Sequence, residues 1–181
     1  GLEGAFLLFT YGLLGPGKGL EFALKVLARV LPHNPRVRYL VAGRLHPNLE
    51  RHEGRRYLER VREMAEALGV GEAFLLREGY LSEEELYRLA GAADLFLLPY
   101  PNLEQVSSGT LSYALALGKA VLSTPFRHAR AALAAWESAW TTQREAVAIL
   151  QSHLTSLLAR AGLQLAELRQ QARRDALGED I

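Results

Sequence analysis

Residues 5–31 read AFLLFTYGLLGPGKGLEFALKVLARVL. The apolar run over residues 5–10 predicts a β-strand, and the glycines that follow it predict a tight turn. Residues 20–31 predict an amphipathic helix. The face of that helix that is expected to be buried carries large apolar side chains: Phe22, Val26, Leu27 and Val30. The order strand, glycine-rich loop, helix is typical of an α/β domain.

Apolar runs and helical patterns keep alternating after this segment. Further strands are predicted at residues 37–42, 73–76, 95–98 and 120–123. Helices are predicted at residues 57–68, from an S-x-x-E capping box at 82–85 to about residue 93, at 107–117 and at 128–136. Because strands that alternate with helices build parallel sheets, we expect a Rossmann-like α/β fold, an open parallel sheet with helices on both faces.

The last part of the chain, residues 136–181, gives weaker signals. Residues 143–158 and 163–176 have apolar side chains at helical spacing, which predicts amphipathic C-terminal helices. Residues 139–142 are a weak candidate for a sixth strand. The whole chain, residues 1–181, is expected to form a single domain.

The composition is that of an ordinary soluble globular protein. The chain has 181 residues, of which 49% are hydrophobic and 23% charged, and its net charge of +1 gives no electrostatic case for binding nucleic acid or an anionic membrane. Without cysteine it can form neither disulfides nor thiolate metal sites. No apolar run has the length that a transmembrane helix needs, and no signal peptide is apparent. We therefore expect a cytoplasmic protein.

The unusual loops of the chain all follow predicted strands. They lie at residues 11–19, 43–47, 78–81, 99–110 and 124–128. In an open parallel sheet, ligands bind outside the carboxyl ends of the strands. Because those ends share one edge of the sheet, the loops are expected to converge there and form a binding site.

The first of these loops, YGLLGPGKG at residues 11–19, predicts an anion site. Its glycines allow the backbone to approach an anion closely, and Lys18 adds a positive charge suited to phosphate. The helix after Gly19 offers unpaired N–H groups. A tight turn that binds nothing is the structural alternative.

The same loop nearly matches the P-loop of nucleotide triphosphatases, G-x-x-x-x-G-K-[ST]. Gly19 stands where that motif needs a hydroxyl group to hold magnesium. Asp94, the candidate for a second magnesium ligand, precedes its predicted strand and so lies at the opposite edge of the sheet. A P-loop site is therefore excluded.

The second candidate loop, PYPNLEQVSSGT at residues 99–110, also predicts an anion site. Its prolines keep the chain extended as it leaves the sheet. Ser107-Ser108-Gly109-Thr110 then starts a helix with hydroxyl groups and free amides. Capping by one serine is expected as well and leaves the other amides available. Two helix N-termini and Lys18 around one cleft suit a diphosphate better than a carboxylate.

Hydrolytic and metal-binding patterns are missing from the sequence. The serines at 107 and 108 lack the nucleophile-elbow pattern, and no histidine spacing typical of metal ligands occurs. His46 and His128 lie beside the expected binding edge. For each of them alone, a structural role is the preferred interpretation.

Segments distributed along the chain carry a family resemblance. They are GLLGPGKG at 12–19, Gly43 with His46 and Pro47, QVSSGTLSYAL at 105–115 and GKAVLSTP at 118–125. In this order and at this spacing they resemble the C-terminal domain of the retaining family 4 (group 1) glycosyltransferases, one half of a GT-B fold. The similarity covers residues 5–133.

The resemblance implies transfer of a sugar from a nucleotide diphosphate sugar to an acceptor with retained anomeric configuration, without a metal or cofactor. It implies catalytic roles for Lys18 and Gln105. The implied donor-binding residues are Gly12, Gly17, His46, Tyr80, Leu81, Ser107, Ser108, Gly109, Thr110 and Tyr113. The diphosphate would meet Gly12, Lys18 and the amides of residues 108–110, and the nucleobase would lie near residues 79–81.

Some positions depart from the family pattern. Leu13 replaces an arginine, and Gln105 and Tyr113 replace glutamates near the donor sugar and the ribose. These departures keep an alternative open, a non-catalytic nucleotide-binding or interaction module on the same fold. A GT-B phosphorylase-like or epimerase-like relative is a third possibility. In the resembled fold the acceptor binds an N-terminal domain, which we expect to be absent here, so the isolated chain is expected to be inactive.

Overall fold

The computed structural model describes residues 2, 4–53, 55–133 and 140–141. Its strands are β1 (Phe6–Tyr11), β2 (Val37–Gly43), β3 (Phe74–Glu78), β4 (Leu95–Leu98), β5 (Ala120–Ser123) and β6 (Trp140–Thr141). Within the described residues they form one parallel sheet in the order β3-β2-β1-β4-β5-β6. The strand order reverses between β1 and β4, and the crevice at such a reversal is where open α/β sheets bind ligands.

Helices cover both faces of this sheet. They are α1 (Leu20–Val30), α2 (Pro47–Glu53), α3 (Arg56–Ala67), α4 (Glu83–Ala92), α5 (Gly109–Ala116) and α6 (Arg127–Leu133), with short 3-10 turns at Pro16–Lys18 and Gly71–Ala73. α1 and α3 pack on one face, and α4, α5 and α6 pack on the other. Successive residues of β1 alternate accordingly, since Leu8 joins the first core and Phe9 the second. The predicted Rossmann-like fold is confirmed.

The predicted strands agree with the structure to within two residues, and the weak sixth strand is present as β6. The predicted face of α1 is wrong at Phe22, which is 42% exposed. Val26, Leu27 and Val30 are buried as predicted, together with Leu20, Ala23 and Leu24. Residues 20, 23, 24 and 27 follow the i, i+3, i+4, i+7 pattern that faces the sheet, and Phe22 lies beside that stripe.

The structure contains a helix that the sequence did not indicate, and some predictions cannot be compared with it. α2 was missed because its sequence, PNLERHE, has no apolar periodicity. The helix predicted at 128–136 begins at Arg127, and its residues beyond 133 lie outside the described part of the chain. The helices predicted at 143–158 and 163–176 lie outside it entirely. No helix in the described ranges is long and apolar enough to span a bilayer.

Asp94 and Lys119 stabilise the amino edge of the sheet, opposite the predicted site. The Asp94 carboxylate accepts the N–H of Leu7 at 2.7 Å, as its position before β4 predicted. Lys119 donates to the carbonyl groups of Gly91 and Ala93 at 2.7 and 3.1 Å, at the C-terminus of α4. Burial lowers the pKa of Lys119, and the charge of Asp94 opposes that shift.

Ser82 caps α4 as its sequence predicted. Its hydroxyl group accepts the N–H of Glu85 at 3.2 Å, and the Glu85 carboxylate accepts the N–H of Ser82 at 3.0 Å. The backbone hydrogen bond from Ser82, followed by that from the Arg77 side chain, lowers the pKa of Glu85.

We expect Ser82→Ala to lower the free energy of unfolding by about 1 kcal/mol, because an N–H of the first turn loses its acceptor. Urea denaturation followed by circular dichroism measures the change. Ser112→Ala is the matched control, since the Ser112 hydroxyl group only donates to the Ser108 carbonyl group inside α5. That loss should cost less than about 0.5 kcal/mol. Equal midpoints for Ser82→Ala and the wild type would contradict the assigned cap.

Candidate functional site

The loops that follow β1 and β2 touch through their glycines. Gly12 and Gly43 have φ values of +118° and +143°. A Cβ atom on Gly43 would lie 1.9 Å from the carbonyl oxygen of Gly12, so no side chain fits there. Beyond this contact, the N–H of Leu14 donates to Arg44 and the N–H of His46 donates to Leu14, each at 2.8 Å. The two loops therefore form one continuous surface at the carboxyl edge.

The N-terminus of α1 packs against the loop that follows β4. Gly19 has a φ of +64°, and a Cβ atom there would lie 1.9 Å from the carbonyl oxygen of Pro99. Gly19 and Leu20 are both buried. The N–H of Gly19 is bound to the Pro16 carbonyl oxygen at 3.0 Å, so this amide is not available to an anion.

Lys18 lies where the first loop meets the N-terminus of α5. Its ammonium group donates to the hydroxyl groups of Tyr100 and Thr110, at 2.8 and 3.2 Å. The Thr110 hydroxyl group in turn donates to the carbonyl oxygen of Tyr11 at 3.0 Å. A Cβ atom on Gly12 would lie 3.3 Å from the Lys18 ammonium nitrogen. The half-buried cation is thus fixed beside bare backbone.

The segment after β5 holds the loop between β4 and α5 in place. The Thr124 hydroxyl group donates to the Tyr100 carbonyl oxygen at 2.6 Å, and the N–H of His128 donates to the Gln105 carbonyl oxygen at 3.0 Å. His128 also accepts the N–H of Ser108 on its Nδ1 atom at 2.9 Å. Four of the five predicted loops are therefore linked to Lys18 or to its partners. The remaining loop, which follows β3, is joined to Gly43, because the N–H of Gly79 donates to the Gly43 carbonyl oxygen at 3.0 Å.

The start of α5 differs from the expectation in one respect. Ser108 is the N-cap, and its hydroxyl group accepts the N–H of Leu111 at 3.2 Å. The N–H of Ser108 itself donates to His128. This amide was predicted to bind an anion, and it is not available for that. Within the described residues, the amides of Gly109 and Thr110 have no acceptor. They keep this helix end suited to a negative charge.

Eight of the twelve candidate residues line two adjoining cavities, whereas Ser108, Gly109, Thr110 and Tyr113 line neither. The larger, of about 710 Å³, is lined by predicted residues from several loops: Gly17, Lys18, His46, Gln105 and Ser107. The smaller, of about 260 Å³, is lined by Gly12, Tyr80 and Leu81. Leu13 lines both cavities, so they meet at this residue. Among the described residues, no cluster of histidine, aspartate and glutamate side chains could hold a metal ion.

Gln105 and Tyr113 lie at different parts of this edge. Gln105 donates its side-chain amide to the Ser107 carbonyl oxygen at 2.7 Å, which leaves its own amide oxygen as an acceptor. Tyr113 lines neither cavity and packs edge-on against Tyr11, with ring centroids 6.1 Å apart. Burial raises the pKa of Tyr11, and the neighbouring Tyr113 raises it further. His46 accepts the N–H of Asn48 on Nδ1 at 3.3 Å, a structural contact like that of His128.

The family model of the glycosyl transferases group 1 matches residues 2–176. The chain belongs to this family. The match covers both cavities and every candidate residue, and with the parallel sheet it confirms the resemblance to the C-terminal domain of the GT-B glycosyltransferases.

Solved structures of other glycosyltransferases share this fold. A glycosyltransferase from Rickettsia africae is 17% identical with a TM-score of 0.75, over 95% of this chain and 42% of the other. The C-terminal domain of the group 1 protein LpcC from Francisella tularensis is 12% identical with a TM-score of 0.64, over 84% and 74%. HepE from Anabaena, in complex with UDP-glucose, is 14% identical with a TM-score of 0.67, over 94% and 50%. The chain thus spans half or less of the Rickettsia and Anabaena chains. No curated protein sequence matches it.

The candidate site includes residues that the sequence did not indicate. Tyr100 is 1% exposed and orients Lys18, yet its place between two prolines indicated only an extended loop. Arg44 lines the smaller cavity directly after β2. Arg44 could have been predicted from the sequence, because a charged residue directly after the glycine that ends a strand lies at the binding edge.

Proposed function

We propose that the chain is the donor-binding domain of a group 1 glycosyltransferase, which transfers a sugar from a nucleotide diphosphate sugar to an acceptor with retained configuration. The position of Lys18 carries this proposal. Its ammonium group is held by two neutral hydroxyl groups, at 2.8 and 3.2 Å, beside the bare backbone of Gly12. Its charge is therefore oriented but not neutralised by these contacts, which favours an anionic ligand.

A nucleotide diphosphate sugar matches the shape of the site. The diphosphate would lie between Lys18 and the amides of Gly109 and Thr110, beside the backbone of Gly12. The nucleobase would occupy the smaller cavity beside Tyr80 and Leu81, as the family resemblance implies. The larger cavity would then receive the sugar. The complex of HepE with UDP-glucose supports this class of ligand on the same fold.

Two side chains would contribute to the chemistry. Negative charge develops on the diphosphate as its bond to the sugar breaks, and a fixed ammonium group with helix amides stabilises that charge. Lys18 is proposed for this role. The free amide oxygen of Gln105 would accept a hydrogen bond from a sugar hydroxyl group and orient the sugar.

The remaining steps need groups beyond this site. We propose that the acceptor binds a second, N-terminal domain of a two-domain cytoplasmic enzyme, and that residues 1–181 alone bind the donor without turning it over. The match to less than half of the Rickettsia enzyme and to half of HepE supports such an arrangement.

A non-catalytic nucleotide-binding module is the second candidate. It is favoured by Leu13, an apolar side chain that is 42% exposed where the two cavities meet. Calorimetric titration with UDP, GDP and ADP and with their glucose conjugates separates the two candidates. A donor-binding domain should bind one conjugate more tightly than the corresponding diphosphate. Equal or weaker binding of every conjugate would contradict the transferase proposal and support the second candidate.

We expect Tyr100→Phe to weaken nucleotide binding several-fold, because the Lys18 ammonium group loses its 2.8 Å partner. The aromatic packing of residue 100 on Phe126, at 5.1 Å between centroids, is retained in this variant. Tyr39→Phe is the matched control, since Tyr39 is equally buried and hydrogen-bonded to Thr10 away from the cavities. Both variants should lose about 1 kcal/mol of stability, and only Tyr100→Phe should lose affinity. Equal affinities of the two variants would show that Tyr100 does not orient Lys18.

A further inference from the structure

Arg44 lies at the carboxyl edge of the sheet, where backbone contacts fix its position. It follows the last residue of β2, and its carbonyl oxygen accepts the N–H of Leu14 at 2.8 Å. The next residue, Leu45, pairs with Leu14 in a short parallel bridge and is buried. Arg44 is exposed and lines the smaller cavity together with Gly12.

The guanidinium group of Arg44 makes no polar contact within the described part of the chain. No hydrogen bond or ion pair joins it to another described residue. Glu78 is the carboxylate beside it, since Glu78 pairs with Gly43 in the sheet register. That carboxylate is already bound by Arg55 and Arg62. The charge of Arg44 is therefore available to a ligand in the smaller cavity.

Lys18 and Arg44 line two cavities that have Leu13 in common. Lys18 lines the larger cavity, Arg44 lines the smaller one, and Leu13 lines both. Gly12, which has no side chain, approaches Lys18 and also lines the smaller cavity. A nucleotide that extends from one cavity into the other would meet one cation in each cavity. Its diphosphate carries more negative charge than one ammonium group can balance.

We propose that Arg44 is a second cationic contact for the diphosphate, in the smaller cavity that it lines together with Gly12. The inference rests on the proposed function. A guanidinium group suits this role because its planar set of N–H donors matches two phosphate oxygens at once. Its exposure in the free chain leaves it able to turn toward the ligand.

Calorimetric titrations of the 181-residue chain test this role. UDP, GDP and ADP are each titrated at low and high salt, and their nucleosides are followed by NMR shift titration, into the wild type, Arg44→Ala and Arg44→Lys. Arg36→Ala is the matched control, because Arg36 is exposed just before β2 at the opposite edge. Arg44→Ala should weaken the preferred diphosphate about tenfold or more and reduce the salt dependence, with nucleoside binding unchanged. Arg44→Lys should lose less, and Arg36→Ala nothing.

The possible results separate this inference from the proposed function. If Arg44→Ala and the wild type bind the diphosphate equally tightly, the role of Arg44 is overturned and the donor site is left intact. A loss that is the same for nucleoside and diphosphate, or that is independent of salt, would make Arg44 a nucleobase contact and overturn the inference as well. A folded wild type that binds no nucleotide would overturn the proposed function together with this inference.

Discussion

Gly43→Ala is expected to lower the free energy of unfolding by about 3–5 kcal/mol. The added Cβ atom would lie 1.9 Å from the carbonyl oxygen of Gly12, a backbone atom that cannot move unless the end of β1 moves with it. The φ of +143° adds strain, because side chains of L-residues rarely tolerate it. Urea denaturation followed by circular dichroism measures the loss.

Gly91→Ala is the matched control for this substitution. Gly91 lies in α4, and a Cβ atom there would meet nothing within 4 Å. Alanine inside a helix is more favourable than glycine, so this variant should gain up to about 1 kcal/mol. A Gly43→Ala variant as stable as the wild type would show that the loops after β1 and β2 do not touch, and the surface that joins the two cavities would not exist.

Lys18→Ala is expected to weaken the binding of the preferred nucleoside diphosphate about 30-fold, or about 2 kcal/mol. The ammonium group is the charge held between Gly12 and Thr110, and alanine removes this charge from beside the helix amides. Isothermal titration calorimetry measures the change.

Lys25→Ala is the control for the loss of a lysine charge. Lys25 is exposed on α1, with its ammonium group 5.9 Å from the centroid of the Phe22 ring, and it lines neither cavity. Its removal should leave the affinity unchanged. Thermal melting of both variants checks that each is folded. If Lys18→Ala and Lys25→Ala bind with equal affinity, Lys18 does not contact the ligand.

The fold could be predicted well because its decisive features are local in sequence. The clearest case is β4, whose four apolar residues LFLL are all buried and are followed by Pro99. The start of α4 is encoded in the four residues of its capping box. α2 lacked such a signal, and Phe22, which is apolar and was predicted on the buried face of α1, lies beside that face and is exposed.

The sequence predicted that the candidate site lies at the carboxyl edge of the sheet, but it predicted only part of the contacts within the site. Residues of several loops do line two adjoining cavities at the expected edge, because the parallel topology brings the carboxyl ends of the strands together. The contacts that orient them join distant parts of the chain: Lys18 reaches Tyr100 over 82 positions, and His128 takes the N–H of Ser108 over 20. No local sequence pattern encodes such pairs. Only the structure therefore shows that the Ser108 amide is bound by His128 and that the Arg44 guanidinium group is available to a ligand.

A crystal structure of the chain with the nucleotide sugar that binds it most tightly would test the central claim most directly. The account predicts diphosphate oxygens within hydrogen-bonding distance of the Lys18 ammonium group and of the Gly109 amide. It also predicts the nucleobase in the smaller cavity beside Tyr80. A nucleotide bound elsewhere, with Lys18 still donating only to Tyr100 and Thr110, would contradict the assignment of this edge as the donor site.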